Sequence, residues 1–285
     1  MVFPPELDVS IYRNFHKDLL ELDDIQLIKH WETFGLLEGR TASKVQDRIS
    51  LLSLLKSCKS ILEIGVFDSP SLEFLREEGR TIHYADWLDK ESLKRRAASI
   101  PGRHPEKVPD IEYVLSHGYA QIVTQYEAII SHHCVEHQPN LIQHLIDVRS
   151  KLNYGGWYLF SVPDKRRCFD HFIPESTILD VVEAFYGQRQ KPSLKSVLEH
   201  RCFTRHDYMT SADPFISASP ELRACLDTAF MEFSQNDYVD THCWQFTPYG
   251  FKRLYNQLLC LDLVPSYRDF CVYCAGSEFY VALAY

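Results

Sequence analysis

The sequence predicts an α/β fold in which an open, mostly parallel sheet carries helices on both faces. Short apolar runs rich in β-branched residues, such as residues 60–64 and 82–86, alternate with helical patterns along the first half of the chain. The run 60–64 stops at Gly65, the type of turn that opens a ligand crevice at a strand's carboxyl end. Near the C-terminus, residues 267–274 and 278–284 form a predicted antiparallel hairpin.

Composition limits the classes of protein to consider. A chain of 285 residues suits one large domain or one domain with a small appendage. The net charge of -9 argues against nucleic acid as a partner. No apolar run is long enough for a membrane span, and no charged-then-apolar leader is found. The nine cysteines are scattered and odd in number, which predicts free thiols in a reducing compartment, the cytoplasm.

The remaining elements follow from the same patterns. Three further strands are predicted at residues 111–115, 126–131 and 157–162. Helical spacing predicts a helix at 45–58, leading into the first strand, and another at 71–76, directly after the glycine turn. The latter would place helix N-terminal N–H groups beside the crevice.

Four segments in order carry a resemblance to a known family. They are SILEIGVFDSPSL (60–72), IHYAD (82–86), YEAIISHHCVEHQPN (126–140) and LNYGGWYLFSVPD (152–164). Together they resemble the class I S-adenosylmethionine (SAM)-dependent methyltransferases, in particular the methyltransferase type 11-like group. The resemblance implies a Rossmann-like seven-stranded sheet with an antiparallel last strand, SAM as the cofactor and methyl transfer as the activity (EC 2.1.1.-).

The resemblance also implies a set of cofactor contacts. Asp86, at the end of the second strand, would accept hydrogen bonds from the ribose hydroxyls. Phe67 and Pro70 occupy positions where further glycines are expected, and they narrow the room for the methionine end of SAM. The implied contacts are Glu63, Gly65, Val66, Phe67, Ser71, Asp86, Trp87, His117, Gly118 and His132.

Candidate bases and acceptor contacts come from the ends of the fourth and fifth strands. His133 lies near the expected methyl-transfer site, and a histidine has a pKa suited to removing a proton from a hydroxyl. Asp164 and His171 flank a polar run beyond the fifth strand and are further base candidates. In that run Lys165, Arg166 and Arg167 are predicted to bind an anionic or hydroxyl-rich acceptor, with a solvated loop as the alternative. The family resemblance gives Glu136 and His137 a structural role.

Residues 174–240 form a long insertion after the fifth strand, which we expect to cover the acceptor site as a helical lid. His200 and His242 are predicted to bond the acceptor, and Trp244 to stack on a sugar or similar ring. No two histidines of this region show a metal-ligand spacing, so the sequence predicts no metal site.

The chain is predicted to divide into an N-terminal helical module, 1–44, and a SAM methyltransferase-like domain, 45–285. Residues 7–40 resemble a helical module attached to glycosyltransferases and other bacterial surface-glycan proteins. The resemblance implies a possible glycosyltransferase partner bound through these helices. It also favours O-methylation of a sugar, glycan or other small hydroxylated acceptor in surface polysaccharide biosynthesis.

Two alternatives remain open. The fold could be a catalytically silent binding or scaffold module in a glycan-assembly complex, as the replaced glycines would allow. A nucleotide-dependent oxidoreductase shares the glycine turn and the acidic residue of the second strand. The predicted C-terminal hairpin disfavours it, because the last strand of a dinucleotide fold is usually parallel.

Overall fold

One mixed sheet organises the molecule, and the computed structural model describes residues 3–216 and 220–285 of the chain. Its strands are β1 (Ser60–Ile64), β2 (Thr81–Asp86), β3 (Tyr113–Val114), β4 (Tyr126–His132), β5 (Leu152–Pro163), β6 (Asp269–Ala275) and β7 (Glu278–Ala284). They lie in the order β3-β2-β1-β4-β5-β7-β6, and β7 alone runs against its neighbours. The predicted seven-stranded sheet with its reversed last strand is confirmed.

The helices cover both faces of the sheet. They are α1 (Val9–Phe15), α2 (Asp24–His30), α3 (Leu36–Glu38), α4 (Arg48–Leu52), α5 (Lys90–Ser99), α6 (Leu141–Ser150), α7 (Ile178–Tyr186), α8 (Leu194–Cys202), α9 (Pro220–Gln235) and α10 (Pro248–Cys260). None of the described helices is long and apolar enough to span a bilayer. The helix predicted at 45–58 is α4 continued by a 3-10 segment, Ser53–Ser57.

The prediction of a helix at 71–76 is wrong. Residues 65–80, all of them described, contain only the 3-10 turn Glu73–Leu75 between β1 and β2. Side chains hold the segment in this irregular path. Both carboxylate oxygens of Glu63 accept from the Ser71 backbone N–H at 3.1 Å, and Glu73 accepts from the Tyr84 hydroxyl at 2.6 Å. Such side-chain hydrogen bonds compete with the helical ladder, so no α-helix begins directly after β1.

Two predicted strand boundaries also differ from the structure. The turn expected at residues 153–156 belongs to β5, where Gly155 has a φ of +75° beside an irregularity in the β4–β5 pairing. β3 is only two residues long, because the chain turns into a 3-10 segment at Leu115. The sheet therefore ends in a short edge strand next to β2.

The N-terminal helices pack into the main core. Tyr12, Leu27 and Trp31 are buried in the same hydrophobic cluster as residues of β5 and α10. A Cβ at Gly35 would collide with the side chains of Tyr12 and Trp31, so only glycine fits there. Met1 and Val2 of the module predicted at 1–44 lie outside the described residues, and the boundary after residue 44 stays a prediction.

The insertion predicted at 174–240 contains α7, α8 and α9 and has a small core of its own. Val197, Cys202, Ala229 and Val239 are buried together, apart from the two clusters that flank the sheet. Residues 217–219 of this insertion lie outside the described residues. The insertion approaches the carboxyl ends of the parallel strands, where Asp240 contacts Arg96 of α5.

Candidate functional site

A cavity of about 720 Å³ opens at the carboxyl ends of β1, β2 and β4. This volume is within the range of small-molecule sites. Eight of the ten predicted cofactor contacts line the cavity, together with the base candidate His133: Glu63, Gly65, Val66, Phe67, Asp86, Trp87, Gly118 and His132. Neither Ser71 nor His117 lines it, and Ser71 contributes instead through the backbone N–H that binds Glu63.

Gly65 lets β4 come close to the turn after β1. Its φ is +74°, a conformation that side chains disfavour, and its N–H donates to the carbonyl of Ala85 at 2.8 Å. A Cβ at this position would lie 3.2 Å from both Cβ and Sγ of Cys134. The glycine predicted from the sequence is therefore required by both conformation and space.

Asp86 holds the loop that follows β1. Its Oδ2 accepts from the N–H of Phe67 at 3.0 Å, and its Oδ1 accepts from the N–H of Trp87 at 2.7 Å. Burial raises the pKa of Asp86, and these backbone donors partly oppose that effect. Each carboxylate oxygen keeps a second lone pair, so the side chain can still accept hydrogen bonds from two neighbouring hydroxyls.

Phe67 lines the cavity without filling it. Its φ is +45°, and its ring lies under two guanidinium groups, those of Arg96 at 5.6 Å and Arg103 at 5.2 Å. Such contacts fix an aromatic ring through its negative face. A ring held there leaves the cavity open beside Gly65.

Glu63 and His132 are buried groups whose charge state the surroundings control. Burial raises the pKa of Glu63 to about 7, despite the opposing hydrogen bonds of Ser71. Burial lowers the pKa of His132 to about 4, so its ring is neutral at pH 7. His132 Nδ1 bonds Ser161 Oγ at 3.0 Å, while its buried Nε2 has no hydrogen-bond partner among the described residues. That nitrogen is available to a ligand in the cavity.

His133 lies at the open side of the cavity with two carboxylates close to it. Its backbone has a φ of +49°, and Nε2 lies 2.7 Å from Glu278 Oε2. Nδ1 lies 3.6 Å from Glu136 Oε1. Burial would raise the pKa of Glu278, but hydrogen bonds from His133 and Arg48 outweigh burial and lower it. A charged Glu278 would stabilise the imidazolium that forms when His133 accepts a proton.

The other base candidates and the basic run lie outside this cavity. Asp164 is buried against Arg166, whose guanidinium also donates to the carbonyl of Leu37. Lys165 donates to the carbonyl of His171 at 2.8 Å, and Arg167 donates to that of Gly276 at 3.0 Å. The loop after β5 thus uses these charges to bind the N-terminal segment and the hairpin, which explains their density without an acceptor.

His171 also lies outside the cavity. Its Nδ1 bonds the carbonyl of Arg166 at 2.8 Å, and its ring stacks on Tyr208 at 5.1 Å. The roles of Asp164 and His171 as bases and of residues 165–167 as acceptor contacts stay predictions that this geometry does not favour.

Trp244 is part of the core, so its predicted stacking on an acceptor stays a prediction that this geometry does not favour. Its ring is 2% exposed, and Nε1 donates to the carbonyl of Gln138 at 2.6 Å. His242 is buried too, with Nδ1 2.5 Å from Asp170 Oδ2. The His200 ring lies 5.7 Å from that of His242. The two predicted acceptor histidines, a half-buried His200 and a buried His242, therefore lie in one group with Asp170, a residue that no sequence pattern had indicated.

The order and direction of the strands around this cavity identify the fold class. The parallel order reverses between β1 and β4, and a reversed β7 is inserted between β5 and β6. The fold is that of a class I methyltransferase.

Known proteins share little sequence with this chain. No protein-family model matches the chain, and no curated protein matches it. Among solved structures it is similar to the CcbJ methyltransferase from Streptomyces caelestis, at 16% identity over 41% of this chain, with a TM-score of 0.29. The chain spans 51% of the length of CcbJ.

Two other structures align over most of both chains. The O-methyltransferase from Bacillus cereus in complex with SAH has 12% identity over 97% of each chain and a TM-score of 0.38. A SAM-dependent methyltransferase from Archaeoglobus fulgidus has 14% identity over 92% of this chain and 100% of its own, with a TM-score of 0.36. These scores are too low to carry an argument, so the fold rests on the strand order. The resemblance of residues 7–40 to a glycan-associated module finds no support here.

This methyltransferase-fold cavity contains residues that the sequence did not single out. Arg96 stands in a basic run, Lys94–Arg96, that is typical of a solvated helix face, yet it borders the buried side of α5 formed by Leu93 and Ala97. Arg96 and Ala97 follow Leu93 at i+3 and i+4, and this helical spacing was the sequence signal that places Arg96 near the buried face. From the insertion, Tyr238 stacks on Trp87 with ring centroids 6.1 Å apart.

The residues around the cavity fit SAM. Asp86 offers acceptors for a ribose, His132 presents a nitrogen without a partner, and Gly65 leaves the backbone accessible. The carboxylate of Glu63 faces the same cavity, where it would favour the cationic methionine end. The one departure is the missing helix after β1.

Proposed function

We propose that the protein is a SAM-dependent methyltransferase that acts on an oxygen of a small hydroxylated acceptor. The observation that carries the proposal is the convergence of Glu63, Gly65 and Asp86 on one cavity at the switch point of a methyltransferase sheet. Sugars and glycans are the acceptor class favoured by the sequence. Their proposed use in surface polysaccharide biosynthesis rests only on the resemblance of residues 7–40.

The chain's own residues have two tasks in this reaction. Bound SAM supplies a sulfonium methyl group that an acceptor oxygen attacks in line. Asp86 and the Gly65 turn hold the nucleotide in one position, which aligns the reactants and lowers the entropic part of the barrier. His133 removes the acceptor proton, and Glu278 stabilises the resulting charge.

Hydrogen-bonding groups beyond the cofactor contacts support a hydroxyl-rich acceptor. The insertion contributes Arg189, Gln190 and Asp240 to the cavity wall, and α6 contributes Gln143. Such groups bind hydroxyls by donating and accepting hydrogen bonds. A sugar offers many hydroxyls in a small volume, so it fits this wall better than an apolar acceptor does.

Calorimetry with SAM and with its demethylated product SAH tests the proposal. We expect micromolar binding of both and no binding of NADH in a parallel fluorescence titration. A screen for methyl transfer to sugars and nucleotide sugars then identifies the acceptor. With an acceptor in hand, His133→Gln is expected to lower kcat about 100-fold while the SAM affinity stays unchanged.

Two observations favour a second function, a catalytically silent binding module. The loop after β1 lacks a helix and carries Phe67 in a positive-φ position. The N-terminal helices also leave Phe15, Ile25 and Phe34 exposed, as a docking role requires. Absence of SAM binding at millimolar ligand supports this module and overturns the enzyme.

A further inference from the structure

A group of two histidines and a carboxylate, two of them buried and one half-buried, lies next to the cavity on the side of the insertion. One oxygen of Glu136 and one ring nitrogen each of His137 and His242 lie within 4.8 Å of one another. His137 also lines the cavity, whereas Glu136 and His242 are buried behind it. Imidazole nitrogen and carboxylate oxygen are the donors that zinc and similar ions prefer.

Each histidine has a carboxylate at Nδ1. Asp170 Oδ2 lies 2.5 Å from Nδ1 of His242, and both side chains are buried. Asp240 Oδ1 lies 2.9 Å from Nδ1 of His137, a close ion-pair distance with poor alignment for a hydrogen bond. At His242 the hydrogen-bonded carboxylate sets the tautomer and leaves Nε2 for a ligand, the arrangement found behind metal-bound histidines.

Glu136 supplies the independent sign that a cation belongs here. Its side chain is 1% exposed, and neither carboxylate oxygen has a hydrogen-bond donor among the described residues. The imidazole Nδ1 of His133 lies 3.6 Å from Oε1, too far for a hydrogen bond. A buried carboxylate without donors costs several kcal/mol, about the scale that one coordinated ion offsets.

The backbone keeps the three side chains together. The N–H groups of Cys243 and Trp244 both donate to the carbonyl of Glu136, at 2.6 and 3.2 Å. This double hydrogen bond fixes the segment after the insertion against the turn that follows β4. The ligand positions are thus set by main-chain contacts, even without an ion.

We propose that Glu136, His137 and His242 bind a divalent transition-metal ion of the zinc class. Two donors bound tetrahedrally at about 2.1 Å lie about 3.4 Å apart, so donor atoms that lie within 4.8 Å of one another must close by at most about 1.4 Å on binding. The nitrogen-rich donor set disfavours Ca²⁺ and Mg²⁺, which take oxygen ligands.

The ion would complete the acceptor site. Three protein ligands leave positions for water or substrate, as in catalytic rather than structural zinc sites. An acceptor hydroxyl bound there becomes more acidic, which makes its proton easier for His133 to remove. This role rests on the proposed function, whereas binding of the ion does not.

The first experiment uses the full-length wild-type protein and Zn²⁺, with no SAM. After incubation and dialysis we expect one zinc per chain by elemental analysis, and removal by a chelator. X-ray absorption is expected to show two imidazoles and only nitrogen and oxygen donors, at about 2.0–2.1 Å. Sulfur at about 2.3 Å would assign the zinc to some of the nine free cysteines and overturn the site, as would a zinc content below a tenth of an equivalent.

The second experiment locates the ion with Co²⁺, whose visible absorption reports the ligand geometry. Glu136→Gln and His242→Gln are expected to lose the wild-type spectrum, while His206→Gln keeps it, because His206 is an exposed histidine of the insertion outside the ligand set. An unchanged spectrum in either ligand variant overturns the site. Circular dichroism checks folding, and if both ligand variants are unfolded the absorption result on the wild-type protein decides.

SAM calorimetry on the metal-free and zinc-loaded protein separates this proposal from the proposed function. Zinc bound by imidazoles in a protein that does not bind SAM keeps the metal site and rejects the enzyme. A protein that binds SAM but does not bind zinc rejects the metal site and keeps the enzyme.

Discussion

The two ends of the cavity are built in different ways. At the end formed by β1 and β2, Glu63, Gly65 and Asp86 lie on two consecutive strands, and the main contact, from the Phe67 N–H to Asp86, is set by strand register. At the end that faces the insertion, Glu136 and His242 come from segments about a hundred residues apart and are joined by backbone hydrogen bonds. The first end follows from local sequence, and the second from tertiary packing.

The difference also concerns charge compensation. The buried carboxylates of the first end accept hydrogen bonds from neighbouring backbone N–H groups, as Asp86 does from Phe67 and Trp87. At the second end Glu136 lacks such donors among the described residues. A site whose charges are satisfied by the fold can stay intact without a ligand, whereas an unsatisfied site gains most from binding one.

The strongest test of the first end is Asp86→Ala. It removes acceptors for two ribose hydroxyls, and hydrogen bonds to a charged group are worth about 1.5–3 kcal/mol each. We therefore expect the SAM affinity to fall about 100-fold by calorimetry. Asp110→Ala is the control, because that exposed carboxylate pairs with Lys90 at the surface and lies outside the cavity lining. Equal affinities in the two variants would remove Asp86 from the site.

The second end is tested by Asp170→Asn. This variant keeps the size of the side chain but weakens the orientation of His242, and such outer partners are worth about 10–100-fold in metal affinity. A Co²⁺ titration should show weaker binding with an altered visible spectrum, which a purely structural role would not produce. Asp207→Asn, an exposed residue of the insertion, should titrate like the wild type. A wild-type titration and spectrum in Asp170→Asn would contradict the positioning role.

The SAM affinity of the first end should depend on pH through Glu63. Burial raises the pKa of Glu63 to about 7, so the carboxylate ionises as pH rises through neutrality. A cationic SAM favours the ionised form, and its affinity should rise about tenfold between about pH 6 and pH 8. In Glu63→Gln this dependence should disappear. A slope that persists in the variant would assign it to another group.

Protein stability has the opposite slope in a lower pH window. Since the folded protein holds a proton on Glu63 that the unfolded chain has lost, the free energy of unfolding should decrease as pH rises from about 4.5 to about 7. Urea denaturation of the wild type and of Glu63→Gln measures this contribution.

The smallest effect is expected at Trp244. Trp244→Phe removes the hydrogen bond to the Gln138 carbonyl but keeps most of the buried ring, so the free energy of unfolding should fall by about 1 kcal/mol. The SAM affinity should stay the same, because the ring does not line the cavity. A large loss of SAM affinity at unchanged stability would return Trp244 to the binding site.

Local periodicity predicted the strands and the C-terminal hairpin, apart from the bounds of β3 and β5. The place of the reversed β7 in a seven-stranded sheet came from the family resemblance. The prediction of a helix after β1 was wrong because side-chain hydrogen bonds of Glu63 and Glu73 override helical spacing. Propensity does not include such competition.

The acceptor side was harder to predict, because its residues were judged one by one. The charge of residues 164–167 indicated a site, but Arg166 and Asp164 satisfy each other beneath the N-terminal segment. A tryptophan such as Trp244 matches the pattern of a ring-stacking residue in the sequence alone, but its side chain is part of the core. The pairing of Glu136–His137 with His242 depends on the insertion returning to β4, which no short motif encodes.

Asp240 belongs to both ends at once. The same carboxylate lies against His137 and pairs with Arg96, the residue whose guanidinium covers Phe67. A change in the position of Asp240 at one end is therefore transmitted to the other by a single side chain. Thermodynamic reciprocity then requires that, if the ion alters the nucleotide's affinity by some factor, the nucleotide alters the ion's affinity by the same factor. The total free energy of binding would then be the same whichever of the two binds first, and the fraction of protein that holds the ion would depend on the concentration of the nucleotide.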